Sequence, residues 1–166
     1  MGKQNVRPAC MADVQALADV KCRYVRALYR GVLSTEYLKA IEATTYLPEI
    51  QQWLSGAYQV DVLEDDGAVA AFIAYGADPE EQGFGLIYEA GMLPVCRMAD
   101  AEVLLRHCLK QMASRYPAAR VTIPRDNLRT RFLYEQMGFR PDGYQSTKVI
   151  DGTEMRLMRL IGRTDA

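Results

Sequence analysis

Asn127-Leu-Arg-Thr130-Arg-Phe-Leu133-Tyr134-Glu-Gln-Met-Gly138-Phe139 is the stretch on which the fold turns. An asparagine side chain can accept a hydrogen bond from a free amide of a helix's first turn, so Asn127 reads as a cap. Gly138 suits the left-handed residue that stops a helix. An Asn-capped, Gly-stopped amphipathic helix accounts for everything in the stretch except Tyr134.

Working outward, residues 120–123 form a short strand before this helix. Ahead of them Ala101, Leu104, Leu105, Cys108, Leu109, Met112 and Tyr116 make the clearest apolar stripe in the chain, and Pro117 ends it. His107 and Lys110 fall off that stripe and are expected to face outward. After the helix, residues 145–150 and 153–160 flank Asp151-Gly152, a hairpin signal. Toward the N-terminus, residues 84–92 read as a strand, with a polar loop Asp78-Pro-Glu-Glu81 before it. The nearly continuous apolar run 69–75 reads as a central strand covered on both faces. Asp66-Gly67 joins it to an alternating strand that starts at Tyr58.

The first third is helical. Asp13 is expected to cap a helix carrying Leu17, Val20, Tyr24 and Leu28, with Lys21, Arg23, Arg26 and Arg30 on a solvated basic side and Gly31 as its stop. Ser34 or Thr35 can cap a second helical stretch, and Pro48 opens a short third one. Val6-Arg7 is expected to end a first strand.

The chain has 166 residues, enough to bury a core and short enough for a single domain, 1–166. A net charge of −1 lacks the basic excess of a nucleic-acid binder, so no nucleic-acid partner is expected. No apolar run approaches the ~20 residues of a membrane span, so no membrane association is expected. The N-terminal residues lack the apolar core of a signal peptide, which points to the cytoplasm. Cys10, Cys22, Cys96 and Cys108 show no zinc spacing and His107 is the sole histidine, so no metal is expected. Cys108 lies on the apolar stripe, and Cys96 reads as a small hydrophobe.

The opening stretch resembles the last conserved motif of the GNAT acyltransferases: Asn, two residues, a small residue, two residues, an apolar residue, Tyr, three residues, Gly-Phe. Asn127, Thr130, Leu133, Tyr134, Gly138 and Phe139 take those places. Tyr29-Arg-Gly-Val-Leu-Ser-Thr-Glu-Tyr-Leu38 resembles the connection between the family's first two helices, and Asp151-Gly152 with Met155 its closing hairpin. The resemblance runs over about residues 5 to 161. It implies an α/β (α+β) GNAT fold: a twisted, mixed, mostly antiparallel sheet of six to seven strands flanked by helices. The fourth and fifth strands, here 84–92 and 120–123, would splay apart and admit the pantetheine of acetyl-CoA, which bonds the fourth strand as an added strand would. An amide around Met92 or Leu93 would stabilise the oxyanion, and Tyr134 would protonate the leaving thiolate. The implied reaction is direct transfer of an acetyl group to a primary amine, small molecule or peptide, in a ternary complex. Glu89 is the best candidate for the base; Asp61 and Glu64 are weaker ones. The acidic loop 78–81 could attract a cationic amine.

One segment departs from the family. Its pyrophosphate loop is Arg/Gln, two residues, Gly, one residue, Gly or Ala, because glycines let backbone amides approach phosphates at a helix N-terminus. This chain has Pro94-Val-Cys-Arg97-Met98-Ala99-Asp100-Ala101-Glu102. Arg97 matches, while Asp100 and Glu102 stand where glycines belong, and Asp100 reads as the helix cap. The cofactor-binding set implied by the resemblance is Met92, Leu93, Arg97, Met98, Ala99, Asp100, Ala101 and Asn127. Two readings stay open: acetyl-CoA binding retained but weakened, or a non-catalytic GNAT-fold protein that binds a metabolite or a partner. A homodimer stays open as well.

Overall fold

A computed structural model describes residues 3–165. Its seven strands form one sheet in the order β1-β2-β3-β4-β5-β7-β6. These are β1 (Gln4–Pro8), β2 (Gln59–Asp65), β3 (Ala68–Ala77), β4 (Phe84–Met92), β5 (Ala118–Pro124), β6 (Arg140–Ile150) and β7 (Thr153–Arg163). Helices α1 (Val14–Leu28), α2 (Thr35–Ala40) and α3 (Leu47–Gln52) precede β2. Helix α4 (Met98–Ala113) lies between β4 and β5, and α5 (Leu128–Gln136) between β5 and β6.

Every strand pair is antiparallel except β4 with β5. Both Asp-Gly pairs make the expected tight hairpins, with positive φ at Asp66 and Gly67 and at Asp151 and Gly152, as a turn matched to strand twist requires. The last hairpin does not simply extend the sheet: β7 inserts next to β5, and β6 becomes the edge.

The core has a layer on each face of the sheet. On one face Leu104, Leu105, Leu109 and Met112 of α4 pack with Ile73, Ile87 and Phe139. Each of the four is at most 4 % exposed, so each contributes roughly 1.5–3 kcal/mol relative to exposure. On the other face Leu17 and Val20 of α1, with Ile50 and Trp53, cover Val60, Val62 and Phe72. Lys110 faces out as expected. His107 is only half exposed, because it lies 3.5 Å from the buried Asp61 carboxylate.

The ends of α1 and α4 differ from the sequence reading in the same way. Asp13 holds the N-cap place of α1 but does not cap it with its side chain: a short 3-10 turn from Met11 precedes the helix, and the Asp13 carboxylate accepts from the Cys10 amide (2.8 Å) and from both Arg7 Nη atoms (2.8 Å each). Asp100 is not the cap of α4. Arg97 holds that place, and Asp100 reaches back to the Arg97 amide at 2.8 Å. Ser34 and Asn127 do cap α2 and α5, accepting from the amides of Tyr37 (3.1 Å) and Thr130 (3.2 Å).

A gap between two parallel strands as candidate active site

Strands β4 and β5 pair only from Phe84 to Ile87 and from Ala118 to Val121. Beyond that point they separate. The cause lies on the other edge of β4, where the register with β3 slips between Ala74 and Tyr75: Ala74 stands opposite Glu89 while Tyr75 stands opposite Ile87. Tyr88 is the extra residue of a bulge, which bends its strand and lets it leave its neighbour. Past the bulge, the Leu93 amide donates to the Ala70 carbonyl at 2.9 Å. Successive amides of a strand point to opposite edges, so those of Ala90 and Met92 face the gap.

The gap opens into a cavity of about 710 Å³. Helix α5 contributes Tyr134 to its wall, β4 contributes Glu89 and Met92, and α1 contributes Lys21 and Tyr24. Tyr134 is 3 % exposed and packs edge to face on Phe139, with centroids 5.3 Å apart and planes at 64°. Burial, with Cys108 and Tyr24 adding to it, pushes the Tyr134 phenol well above its ordinary value. It is therefore protonated at neutral pH, the state a proton donor needs. Met92 lies in the cavity wall as expected. Leu93 does not, and the Leu93 amide is spent on Ala70, which corrects its place in the expected set.

Glu89 is not a solvent-facing strand glutamate. Its side chain is 30 % exposed, and Oε2 is buried with no hydrogen-bond partner among the described residues. Lys21 Nζ lies 3.0 Å from that oxygen without hydrogen-bond geometry and donates to Oε1 at 3.2 Å. Burial pushes the Glu89 carboxyl up, and Lys21 offsets this only in part. The other two acids proposed as bases stand elsewhere. Asp61 is buried under α4, where it accepts from the Tyr75 hydroxyl at 2.5 Å, and Glu64 is paired with Arg7. The acidic loop is also partly neutralised, since Arg120 Nε lies 2.6 Å from Asp78 and both side chains are buried.

Lys21 is the residue that sequence reasoning misplaced. It is 6 % exposed rather than part of a solvated basic face. Its ammonium donates to Glu49 at 2.8 Å and lies over the rings of Tyr46 (4.6 Å) and Trp53 (5.2 Å). Arg26 is also committed, donating to the carbonyls of Leu38 and Ile41. A signal was present: Lys21 stands four residues after Leu17 and three before Tyr24, on the apolar stripe itself.

The first turn of α4 sits at one end of the β4 strand. The Asp100 carboxylate does not reach out toward the mouth of the loop. It is 8 % exposed and fixed by Gln4 Nε2 (2.7 Å) and the Arg97 amide, which hold its carboxyl below the usual range. The amides of Asp100 and Ala101 turn to the Arg97 carbonyl, which leaves those of Met98 and Ala99 without a partner among the described residues. Glu102 is tied to Arg106 at 2.6 Å on the outer side. Arg97 is exposed. Asn127 spends its side-chain oxygen on the α5 cap. Cys96 is 8 % exposed, with Sγ 3.5 Å from the Ala70 carbonyl, and burial pushes its thiol up, as suits an inert small hydrophobe.

The sequence matches no protein-family model and no curated protein. Solved structures match over nearly the whole chain. The ribosomal-protein-S18-alanine N-acetyltransferase from Escherichia coli superposes with a TM-score of 0.74 at 13% identity, over 98% of this chain and 94% of that one. An acetyltransferase of the GNAT family from Streptococcus pneumoniae gives 0.70 at 12%, over 97% and 99%. The PaiA N-acetyltransferase from Thermoplasma acidophilum in complex with coenzyme A gives 0.70 at 18%, over 95% and 98%. The chain has the GNAT fold. At such low identities the likeness speaks for the fold, while the chemistry of a GNAT-fold chain has to be argued from the residues in its own gap.

Proposed function

We propose that the protein is an N-acetyltransferase that moves an acetyl group from acetyl-CoA to a primary amine by direct attack in a ternary complex. The carrying observation is that one cavity, opened by the splay of β4 from β5, is walled by a buried neutral phenol, Tyr134, a carboxylate, Glu89, and the open backbone edge at Met92. The residues present fit acetyl-CoA: an unpaired strand edge for an extended pantetheine arm, and two unpaired amides at the start of a 16-residue helix for phosphate oxygens. Bound there, acetyl-CoA would supply an activated acyl group and a thiolate leaving group.

The chain's own residues divide the work. Glu89 takes a proton from the acceptor ammonium, directly or through water. The Met92 amide donates to the oxygen that becomes negative as the amine adds. Tyr134 gives its proton to the departing sulfur. Arg97 and the amides of Met98 and Ala99 hold the phosphates. Because Asp100 removes the Arg97 amide from that set, acetyl-CoA binds more weakly than on a glycine loop. The same feature favours the second reading, a GNAT-fold protein that binds a metabolite or partner without catalysis.

Calorimetry with acetyl-CoA, followed by thiol release with a panel of primary amines, separates the two. Acetyl-CoA is expected to bind, and Tyr134→Phe to cut turnover by about 10²-fold with binding kept. A folded protein that gives no heat with acetyl-CoA refutes the enzyme reading, and a fully active Phe variant refutes the role of Tyr134.

A further inference from the structure

The acceptor side of the cavity holds a charge cluster that acetyl transfer as derived above does not use. A buried ammonium, Lys21, stands between two carboxylates, 2.8 Å from Glu49 and 3.0–3.2 Å from Glu89. Its head lies over the rings of Tyr46 and Trp53. Such a cation costs a great deal to desolvate, and cluster geometry alone does not repay it unless its partners stay charged. Burial works against the ammonium, yet Glu89 and then Glu49 outweigh it, so Lys21 keeps its proton. Lys21 Nζ lies within 3.2 Å of both Glu89 oxygens and hydrogen-bonds Oε1, while the Glu89 side chain, 30 % exposed, stands in the cavity wall.

We propose that Lys21 is a positioning residue for the reaction: it holds the Glu89 carboxylate in the cavity wall, and its sharing with Glu49 sets the pH at which Glu89 becomes a base. This rests on the acyltransferase reading. The ammonium favours ionised Glu89 through its charge and its hydrogen bond. Glu49 opposes this twice, as a second negative charge and as a competitor for the same Nζ. Around Glu89, Lys148 of β6 adds a favourable charge, and the phenols of Tyr24, Tyr29 and Tyr46, with Tyr88 of the same strand, are neutral neighbours, each held above its ordinary value by burial. Tyr46 is pushed up to about 12, so these phenols do not titrate in the range where Glu89 does.

The two flanking groups therefore act with opposite sign, which a merely structural role would not produce. The test is a pH titration of protein carrying [13C]carboxyl-labelled glutamate, with the Glu89 resonance assigned by its loss in Glu89→Gln. Lys21→Met is expected to raise the Glu89 midpoint by about one unit or more, the scale of one opposite charge within hydrogen-bond distance. Lys21→Arg, which keeps the charge, should stay near the native midpoint, and Glu49→Gln should lower it. In turnover, the acid limb of kcat/KM, measured with acetyl-CoA and phenethylamine or whichever panel amine releases thiol fastest, should move in the same two directions. Midpoints that move together, or that stay fixed in folded Lys21→Met, overturn the proposal. Midpoints that move as stated in a protein that acetylates no amine sink the enzyme reading alone, since the titration needs no turnover. An acid limb that ignores both variants while the midpoints move removes Glu89 as the base, and with it the positioning role.

Discussion

Replacing Gly162 with alanine would test whether the last strand is packed as tightly under the site as the geometry requires. Gly162 lies on β7, and a Cβ built there meets three ring atoms of Phe139 at 2.4, 2.6 and 2.7 Å. Carbon atoms in favourable contact sit about 3.5–4.0 Å apart, so the ring must withdraw by about 1 Å. It has nowhere empty to go: Phe139 is 0 % exposed and Tyr134 packs against its ring. Overpacking of this kind costs about 1–3 kcal/mol. At this chain length each kcal/mol lowers Tm by about 2–4 °C, so the expected fall is about 2–12 °C. Urea denaturation and calorimetry measure it, and a double-mutant cycle with Phe139→Leu assigns it, because a smaller, flexible side chain should absorb much of the added methyl. A Gly162→Ala cost that is the same in both backgrounds, within about 0.5 kcal/mol, would refute the claim that the Phe139 ring is what the methyl meets. If the reasoning holds, the shifted ring also displaces the Tyr134 phenol, and turnover per folded molecule should fall while acetyl-CoA binding changes less.

Further outcomes follow from the helix starts. Arg7, with the Cys10 amide helping, holds the Asp13 carboxyl down at about 2 against an ordinary 3.8. A lowered folded value means stability that is full above about pH 4 and lost as pH falls through about 2, worth about 2 kcal/mol. Asp13→Asn should cost that amount near neutral pH and flatten the loss between pH 4 and 2 in urea titrations; an unchanged acid slope would contradict it. Asp100→Ala should lower stability by about 1 kcal/mol through loss of its bond to the Arg97 amide, and should tighten acetyl-CoA by freeing that amide and removing a charge. Glu102→Gln should do neither, because its charge already faces Arg106. Calorimetry in which Glu102→Gln gives the larger gain would place the phosphates on the outer side of α4 instead.

The sequence by itself determined what depends on neighbours within a turn or a hairpin. The α4 stripe, the Asn127 cap and the two Asp-Gly turns are set by local backbone and spacing, and they came out where their residue types put them. Tyr134 was legible because a phenol was the one residue an ordinary capped helix did not explain. Tertiary structure alone decided three other matters. The bulge at Tyr88 exists only against β3, and it turns the Met92 amide toward the gap while Leu93 is left bonded to Ala70. Whether Asp13 and Asp100 cap from in front or reach back from behind depends on Arg7 and Gln4, each supplied by β1. Lys21 looked like surface because a lysine normally keeps its charge in water. It is buried because α3 brings Glu49 and β4 brings Glu89 to the same point, and no pattern along one helix records partners 28 and 68 residues away.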